Sequence, residues 1–287
     1  VVAYAAMCAI WGTTWLAIKI GLQGLPPVTG AGVRFTIAAV FLWALGRFAP
    51  GPRGFAAPWR AIVVLAATLF GGNYALTYYA ETGLASGLVA VLFGTLPFFV
   101  FAFGALLLGE RVGMTAVAGA ALALAGVATI SIGSDTHGSP LYVLATLGAA
   151  AISAFANVEL KKFATSDPFL TLPPAMLLAG VTMTSAGAAF EHPDWARGTS
   201  PSSLGALLYL AVLGSAITFY LNHWLLQRMP TWVVGLSALI VPVLAVTVGA
   251  LLGHEAFGAK ELAGAALVIA GVWIALRSPR TAGRRRT

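Results

Sequence analysis

The sequence predicts an all-α integral membrane protein: ten transmembrane helices in two inverted five-helix repeats, with both termini cytoplasmic. Three observations carry this. The chain has 287 residues, 59% hydrophobic and 9% charged, with a mean hydropathy of +0.91. A soluble domain carries roughly a quarter charged residues, so too few are present here to cover a wetted surface. Second, the apolar residues come in long charge-free runs, among them Ala61–Ala80, Leu84–Leu108, Val112–Ile132 and Leu262–Leu276. Runs of about 18 apolar residues are long enough to cross a bilayer as helices, and the period-two alternation of a β-barrel is absent. Third, Leu106–Val127 reads "LLLGERVGMTAVAGAALALAGV", and Leu251–Val272 reads "LLGHEAFGAKELAGAALVIAGV".

The spans follow from the breakers between them. Helices are expected over about 1–21, 28–48, 59–80, 84–109, 112–133, 139–164, 169–190, 202–227, 231–253 and 258–277. The joints fall at Pro26-Pro27, Pro50-Gly51-Pro52, Gly83, Gly133, Ser139-Pro140, Asp167-Pro168, Pro201, Pro230 and Gly253. Val1–Ile20 reads as a first span, because a basic leading segment and an A-x-A cleavage site are absent. The loops are short, so neighbouring helices run antiparallel and no soluble catalytic domain is expected.

Charge sets the orientation. With a cytoplasmic N-terminus, twelve basic residues fall inside: Arg47, Arg53, Arg60, Arg111, Lys161, Lys162, Arg228, Arg277, Arg280, Arg284, Arg285 and Arg286. Four fall outside: Lys19, Arg34, Arg197 and Lys260. This is the positive-inside pattern. It accounts for the net charge of +7 without nucleic acid as a partner, and anchors the Arg284–Arg286 tail at anionic lipid.

The duplication fixes the internal architecture. At an offset of 145 residues, 15 of the 31 positions from Pro97/Pro242 to Val127/Val272 are identical, including Glu110/Glu255, Gly119/Gly264 and Gly126/Gly271. "LPP" recurs at Leu25-Pro26-Pro27 and Leu172-Pro173-Pro174. Residues 1–135 and 136–287 are therefore expected to be two copies of one unit within a single membrane domain. An odd number of spans per copy turns the second upside down, the arrangement of secondary transporters with a site near the midplane.

The segment "WGTTWLAIKIGLQGLPPVTGAGVRF", followed by the two "P…LLxxE…GaaLxxaGv" phrases, resembles the EamA family of the drug/metabolite transporter superfamily. The resemblance covers nearly the whole chain and comes closest to amino acid exporters of the YddG type. The first half keeps Trp11-Gly12, Lys19, Pro27, Arg34, Pro97 and Gly109-Glu110. The second departs, with Phe155-Ala156 near the place of Trp-Gly and His254 before Glu255. The resemblance implies a ten-helix carrier with a central cavity lined mainly by helices 3, 4, 8 and 9, with parts of 1 and 6. It implies export of small metabolites, amino acids including aromatic and apolar ones foremost. Drugs, nucleosides or sugar derivatives are the alternative substrate class.

Polar groups in hydrocarbon are costly and face partners or a wet cavity. Helix 3 carries Asn73, Tyr74, Thr77, Tyr78 and Tyr79; helix 8 carries Tyr220, Asn222, His223 and Trp224. Helix 1 adds Thr13, Thr14 and Trp15, and helix 6 adds Ser153 and Asn157. The expected substrate-binding set is Thr14, Trp15, Asn73, Thr77, Tyr78, Asn157, Tyr220, His223 and Trp224, against interhelical hydrogen bonding and aromatic belts as the alternative. His223, the only histidine within a span, is either a neutral hydrogen-bonded group or a proton-coupling one. Pro97 and Pro242, inside helices 4 and 9, are expected to kink them and act as hinges. Lys19 and Arg34 are expected to snorkel to the interface, or to attract a carboxylate at the outer mouth. Glu110 and Glu255 are expected to cap helices 5 and 10. The Gly/Ala faces of those two helices are expected to pack against each other or to pair two chains as a homodimer. No cofactor or metal is expected: His137, His192 and His254 form no ligand motif, and Cys8 is the single cysteine. The chain is expected to be a multi-pass protein of the cell membrane, the bacterial inner membrane foremost. It is not expected to be an enzyme, since no His/Asp/Glu or Ser/Lys cluster falls at membrane depth.

Overall fold

The structure is a computed structural model and describes residues 1–49, 54–84, 89, 92–131, 140–244 and 259–277. Among the described residues its longer helices, in chain order, are α1 (Val2–Leu22), α2 (Pro27–Phe48), α3 (Trp59–Gly83), α4 (Leu96–Leu108), α5 (Met114–Ser131), α6 (Pro140–Lys162), α7 (Pro168–Phe190), α8 (Pro201–Leu226), α9 (Thr231–Leu244) and α10 (Ala259–Leu276), with one short helical turn at Trp195–Gly198 between α7 and α8. Among the described residues there is no strand. Helices α1, α2, α3, α6, α7 and α8 are each long and apolar enough to cross a membrane; α4, α5, α9 and α10 are shorter apolar helices as far as they are described. Leu16, Val40, Trp43, Val63, Leu106, Leu144, Val181, Ile269 and Trp273 all stand exposed. Apolar side chains on so many outer faces suit lipid, where only backbone that bonds to itself is tolerated.

The helices pack in a reciprocal pattern. α2 lies along α7, α5 along α10 and α4 along α9, while α3 packs on α6 as α1 packs on α8. The closest approaches are at glycines. A Cβ on Gly119 would lie 2.5 Å from the Gly271 carbonyl oxygen and 2.5 Å from the Ala275 nitrogen; one on Gly126 would lie 2.6 Å from the Gly264 carbonyl oxygen. The two contacts interchange under the 145-residue offset, which carries Gly119 to Gly264 and Gly126 to Gly271. Both glycine faces are thus filled inside one chain, so this seam leaves neither of them free for a second copy.

Helices α3 and α8 share an irregularity. Each contains a π-helical segment, Ala66–Gly72 and Val212–Ile217, at positions that correspond under the same offset. A π segment adds a residue to the turn, frees backbone groups and shifts the angular phase of everything after it.

Three local expectations change. Pro97 does not kink a continuous helix. The chain turns at Gly94–Thr95 and α4 begins at Leu96, so Pro97 sits in a first turn, where its missing N–H costs nothing. Glu110 does not cap α5. Gly109 closes α4 in a left-handed conformation (φ 65°), where glycine carries no Cβ penalty. This directs the Glu110 carboxylate to α9, where Oε1 accepts from the Thr231 backbone N–H at 3.0 Å and from its hydroxyl at 3.0 Å. Glu191, at the end of α7, does the same for α2, accepting from the Val28 and Thr29 N–H groups at 2.9 and 2.8 Å. Each carboxylate therefore meets the positive end of another helix. Arg34 does not snorkel: it is 1% exposed in the centre of the bundle. Glu255, His137, His254 and Arg284–Arg286 lie outside the described residues.

Candidate functional site

The site is built from the middle of the bundle. Aromatic rings fill the space between α1, α2, α3 and α8, with Phe35 against Tyr74 (centroids 4.8 Å apart), Phe70 against Phe219 (4.9 Å) and Trp11 against Phe219 (5.8 Å). Where this packing stops, a cavity of about 100 Å³ remains between α1, α3, α6, α8, α9 and the start of α4. Its walls are aromatic and apolar at Trp11, Trp15, Tyr74, Phe93 and Phe219, and polar at Thr14, Asn73, Thr77, Ser153, Asn157, Asn222 and Ser237. The described lining residues include no charged side chain.

The polar groups are held by short local bonds. Asn222 Nδ2 donates to Asn157 Oδ1 at 2.9 Å, and Asn157 Nδ2 donates to the Ser153 carbonyl at 2.8 Å, so α6 and α8 are joined across the cavity wall. Thr77 Oγ1 donates to Asn73 Oδ1 at 3.4 Å along one face of α3, and Thr14 Oγ1 donates to the Trp11 carbonyl at 2.7 Å. Each amide thus has a fixed rotamer while part of its hydrogen-bonding capacity remains for a solute. On α9 the chain breaks at Leu236 and resumes, placing Gly235, Ser237, Ala238 and Pro242 on the cavity. Pro242 has no N–H to give the carbonyl four residues back, that of Ala238, so this wall carries an acceptor without its helical partner.

The structure brings together Thr14, Trp15, Asn73, Thr77 and Asn157 of the expected set, and Pro242 with them. Four others stand elsewhere. Tyr78 is buried and its hydroxyl accepts from Arg34 Nη1 at 3.2 Å. Tyr220 packs its ring 5.0 Å from that of Phe169. His223 is fully buried, with Nε2 3.0 Å from the Ser166 carbonyl oxygen at the α6–α7 joint. Trp224 lies under the Arg228 guanidinium at 3.8 Å. On α8 the cavity face is Phe219 and Asn222, one position before Tyr220 and His223.

Trp11, Tyr74, Phe93, Phe219, Asn222 and Ser237 line the cavity beyond the expected set. One signal in the sequence reaches four of the six. At the 145-residue offset Tyr74 corresponds to Phe219, Thr77 to Asn222, Phe93 to Ala238 and Leu96 to Val241, and all eight are lining residues. The cavity is thus bordered by pairs of residues that occupy the same place in the two halves of the sequence.

Below the cavity, on the side where α1 begins, helix ends are tied together. Tyr4 of α1 donates to the Val233 carbonyl of α9 at 3.1 Å. Lys161 of α6 donates to the Met229 carbonyl at 3.0 Å and also to that of Leu226, at the end of α8. With the Glu110–Thr231 bond, these ties join α1, α4, α6, α8 and α9 at one end of the bundle.

Comparison with known proteins agrees with this arrangement. The EamA-like transporter family matches residues 1–132 and again residues 140–277. Protein PagO of Salmonella typhimurium is 31% identical over 250 residues, covering 83% of this chain and 79% of its own length. The uncharacterized inner membrane transporter YedA of Escherichia coli K12 is 30% identical over 282 residues, covering 94% and 89%. A probable amino-acid metabolite efflux pump of S. typhimurium is 29% identical over 284 residues, covering 92% and 90%. A solved crystal structure superimposes with a TM-score of 0.82 at 23% identity over 96% of this chain and 95% of that one, which establishes the shared fold. The apolar helices and the inner-membrane relatives place the chain in the cell membrane as a multi-pass protein. With both of its halves matched, this chain belongs to the EamA-like transporter family.

Proposed function

We propose that this chain is a secondary transporter that exports small metabolites, amino acids with apolar or aromatic side chains foremost, by alternating access around the central cavity. The observation that carries the reading is the pairing of lining residues 145 positions apart, at Tyr74/Phe219, Thr77/Asn222, Phe93/Ala238 and Leu96/Val241. A carrier whose two inverted halves rock against each other needs a site that both halves border, and an alternating-access site lies where the repeats meet. The reciprocal seams at Gly119/Gly271 and Gly126/Gly264, and the separate family matches in each half, support two inverted five-helix repeats. The walls suit an apolar side chain on a small polar head: several rings, three amides and four Ser/Thr hydroxyls. The S. typhimurium relative named as an amino-acid metabolite efflux pump points the same way.

With Arg34 buried in the bundle, the remaining basic residues divide twelve to three, which favours cytoplasmic termini. In that orientation the bonds from Tyr4, Glu110 and Lys161 tie helix ends together on the cytoplasmic side, and inward opening requires them to break.

The test is counterflow of labelled phenylalanine into proteoliposomes loaded with unlabelled phenylalanine. The account expects accumulation several-fold above protein-free vesicles, with leucine competing more strongly than a nucleoside or a sugar. Flux that only nucleosides or cationic drugs inhibit assigns another substrate class, and no flux of any of these solutes contradicts the transport reading.

A further inference from the structure

We propose that Arg34 gives the cavity a preference for solutes that carry a carboxylate and a bias against organic cations. The substrate class rests on the transport reading above, whereas the binding preference can be measured without flux. Arg34 enters from α2 and is almost fully enclosed. Its guanidinium donates from Nε to Ser215 Oγ at 2.7 Å, from Nη1 to the Tyr78 hydroxyl at 3.2 Å and from Nη2 to the Gly214 carbonyl at 3.0 Å. Gly214 and Ser215 lie in the π-helical segment of α8, so an irregular turn of one helix presents the acceptors that hold the cation of another. The guanidinium also lies 4.8 Å from the centre of the Tyr74 ring. Every one of these partners is neutral, and among the described residues no carboxylate lies within ion-pair distance of Arg34. A buried guanidinium is normally balanced by an anion, because its desolvation is otherwise poorly repaid.

The uncompensated charge stands directly behind the cavity wall. Tyr74 touches Arg34 and also lines the cavity. Thr14, another lining residue, has its methyl group against Gly214, to which Arg34 is bonded. In a low-dielectric surround the field of a full charge crosses one ring with little screening. The lining itself offers nothing to cancel it. Glu81, one turn beyond Thr77 on α3, is buried and is not among the lining residues. A second observation points to the same ligand chemistry. Trp11 lines the cavity, and its buried indole Nε1–H has no acceptor among the described residues. A buried donor left unpaired is costly, and a carboxylate oxygen would satisfy it.

The test is binding of three probes with one ring in common, 3-phenylpropionate, phenylalanine and phenylethylamine, to the purified full chain in detergent, read by tryptophan fluorescence. In the native protein 3-phenylpropionate and phenylalanine are expected to bind about tenfold or more tightly than phenylethylamine. Arg34→Gln keeps amide donors for Ser215 and Gly214 but removes the charge, and is expected to bring the ratio of acid to amine near one. Arg34→Lys restores the charge and is expected to restore the order. Should the Arg34 variants not fold, Trp11→Phe is expected to weaken the two carboxylates selectively in a chain that keeps Arg34. Equal binding of acid and amine by the native protein, binding of none of the three, or an unchanged ratio in a folded Arg34→Gln overturns the proposal. If the order of affinities holds while proteoliposomes show no flux, the transport reading falls and the preference stands.

Discussion

Gly119→Val is expected to cost this chain about 3 kcal/mol of stability or its fold altogether, by steric overlap alone. The Cβ of a new side chain at this position would overlap three backbone atoms: the Gly271 carbonyl oxygen and the Ala275 nitrogen at 2.5 Å, and the Ala275 Cα at 2.9 Å. Backbone cannot turn away as a flexible side chain can, so α5 and α10 must separate. Separation also opens the second crossing, where Gly126 meets Gly264, because the two contacts lie along one seam. Within lipid, helix pairs are held chiefly by close packing, so nothing compensates for that loss. Gly205→Ala is the control: a Cβ there meets nothing within 4 Å, and alanine favours the helix by about 0.5–1 kcal/mol. Thermal unfolding of both purified variants in detergent checks this pair, and a Gly119→Val protein as stable as the parent contradicts the seam.

Ala238→Trp is expected to remove transport while leaving the fold intact. Ala238 lines the cavity from α9, as Asn73 and Thr77 do from α3. An indole placed there occupies most of a cavity of about 100 Å³ without displacing packed core, so its cost in stability stays within about 1–3 kcal/mol. Counterflow is expected to fall below about a tenth of the parent's, as the solute loses its place rather than one contact. Tyr220→Trp, on a residue that packs against Phe169 away from the cavity, is expected to keep most of the flux.

The long apolar runs and the breakers between them were enough to read the six helices long enough to cross a membrane, because these signals depend on local sequence alone. What the sequence did not disclose depends on phase and depth. On α8, side-chain chemistry alone points to Tyr220, His223 and Trp224 as cavity residues. In the structure Phe219 and Asn222, which follow the π-helical segment at Val212–Ile217, are the α8 residues on the cavity instead. Arg34 lies only two turns from the start of α2, within snorkelling reach, so its depth was invisible until Ser215, Gly214 and Tyr78 were seen to converge on it. Glu110 shows the same limit. Its place just before α5 suggested a local cap, and only the left-handed turn at Gly109 sends the carboxylate across to Thr231, 121 residues away in sequence. The repeat register, by contrast, is blind to phase errors shared by both halves, and for that reason it pairs Tyr74 with Phe219 and Thr77 with Asn222 correctly.

The central claim is that solute passes through the cavity between α3, α6, α8 and α9. Cys8 is the single cysteine and is buried, so Cys8→Ser with Ser153→Cys places one thiol in the chain, on the cavity wall. The measurement is phenylalanine counterflow by this variant after treatment with a small methanethiosulfonate reagent, with and without phenylalanine present during the labelling. The account predicts that labelling abolishes flux and that phenylalanine slows the labelling. Flux unchanged after complete modification at position 153 would contradict it.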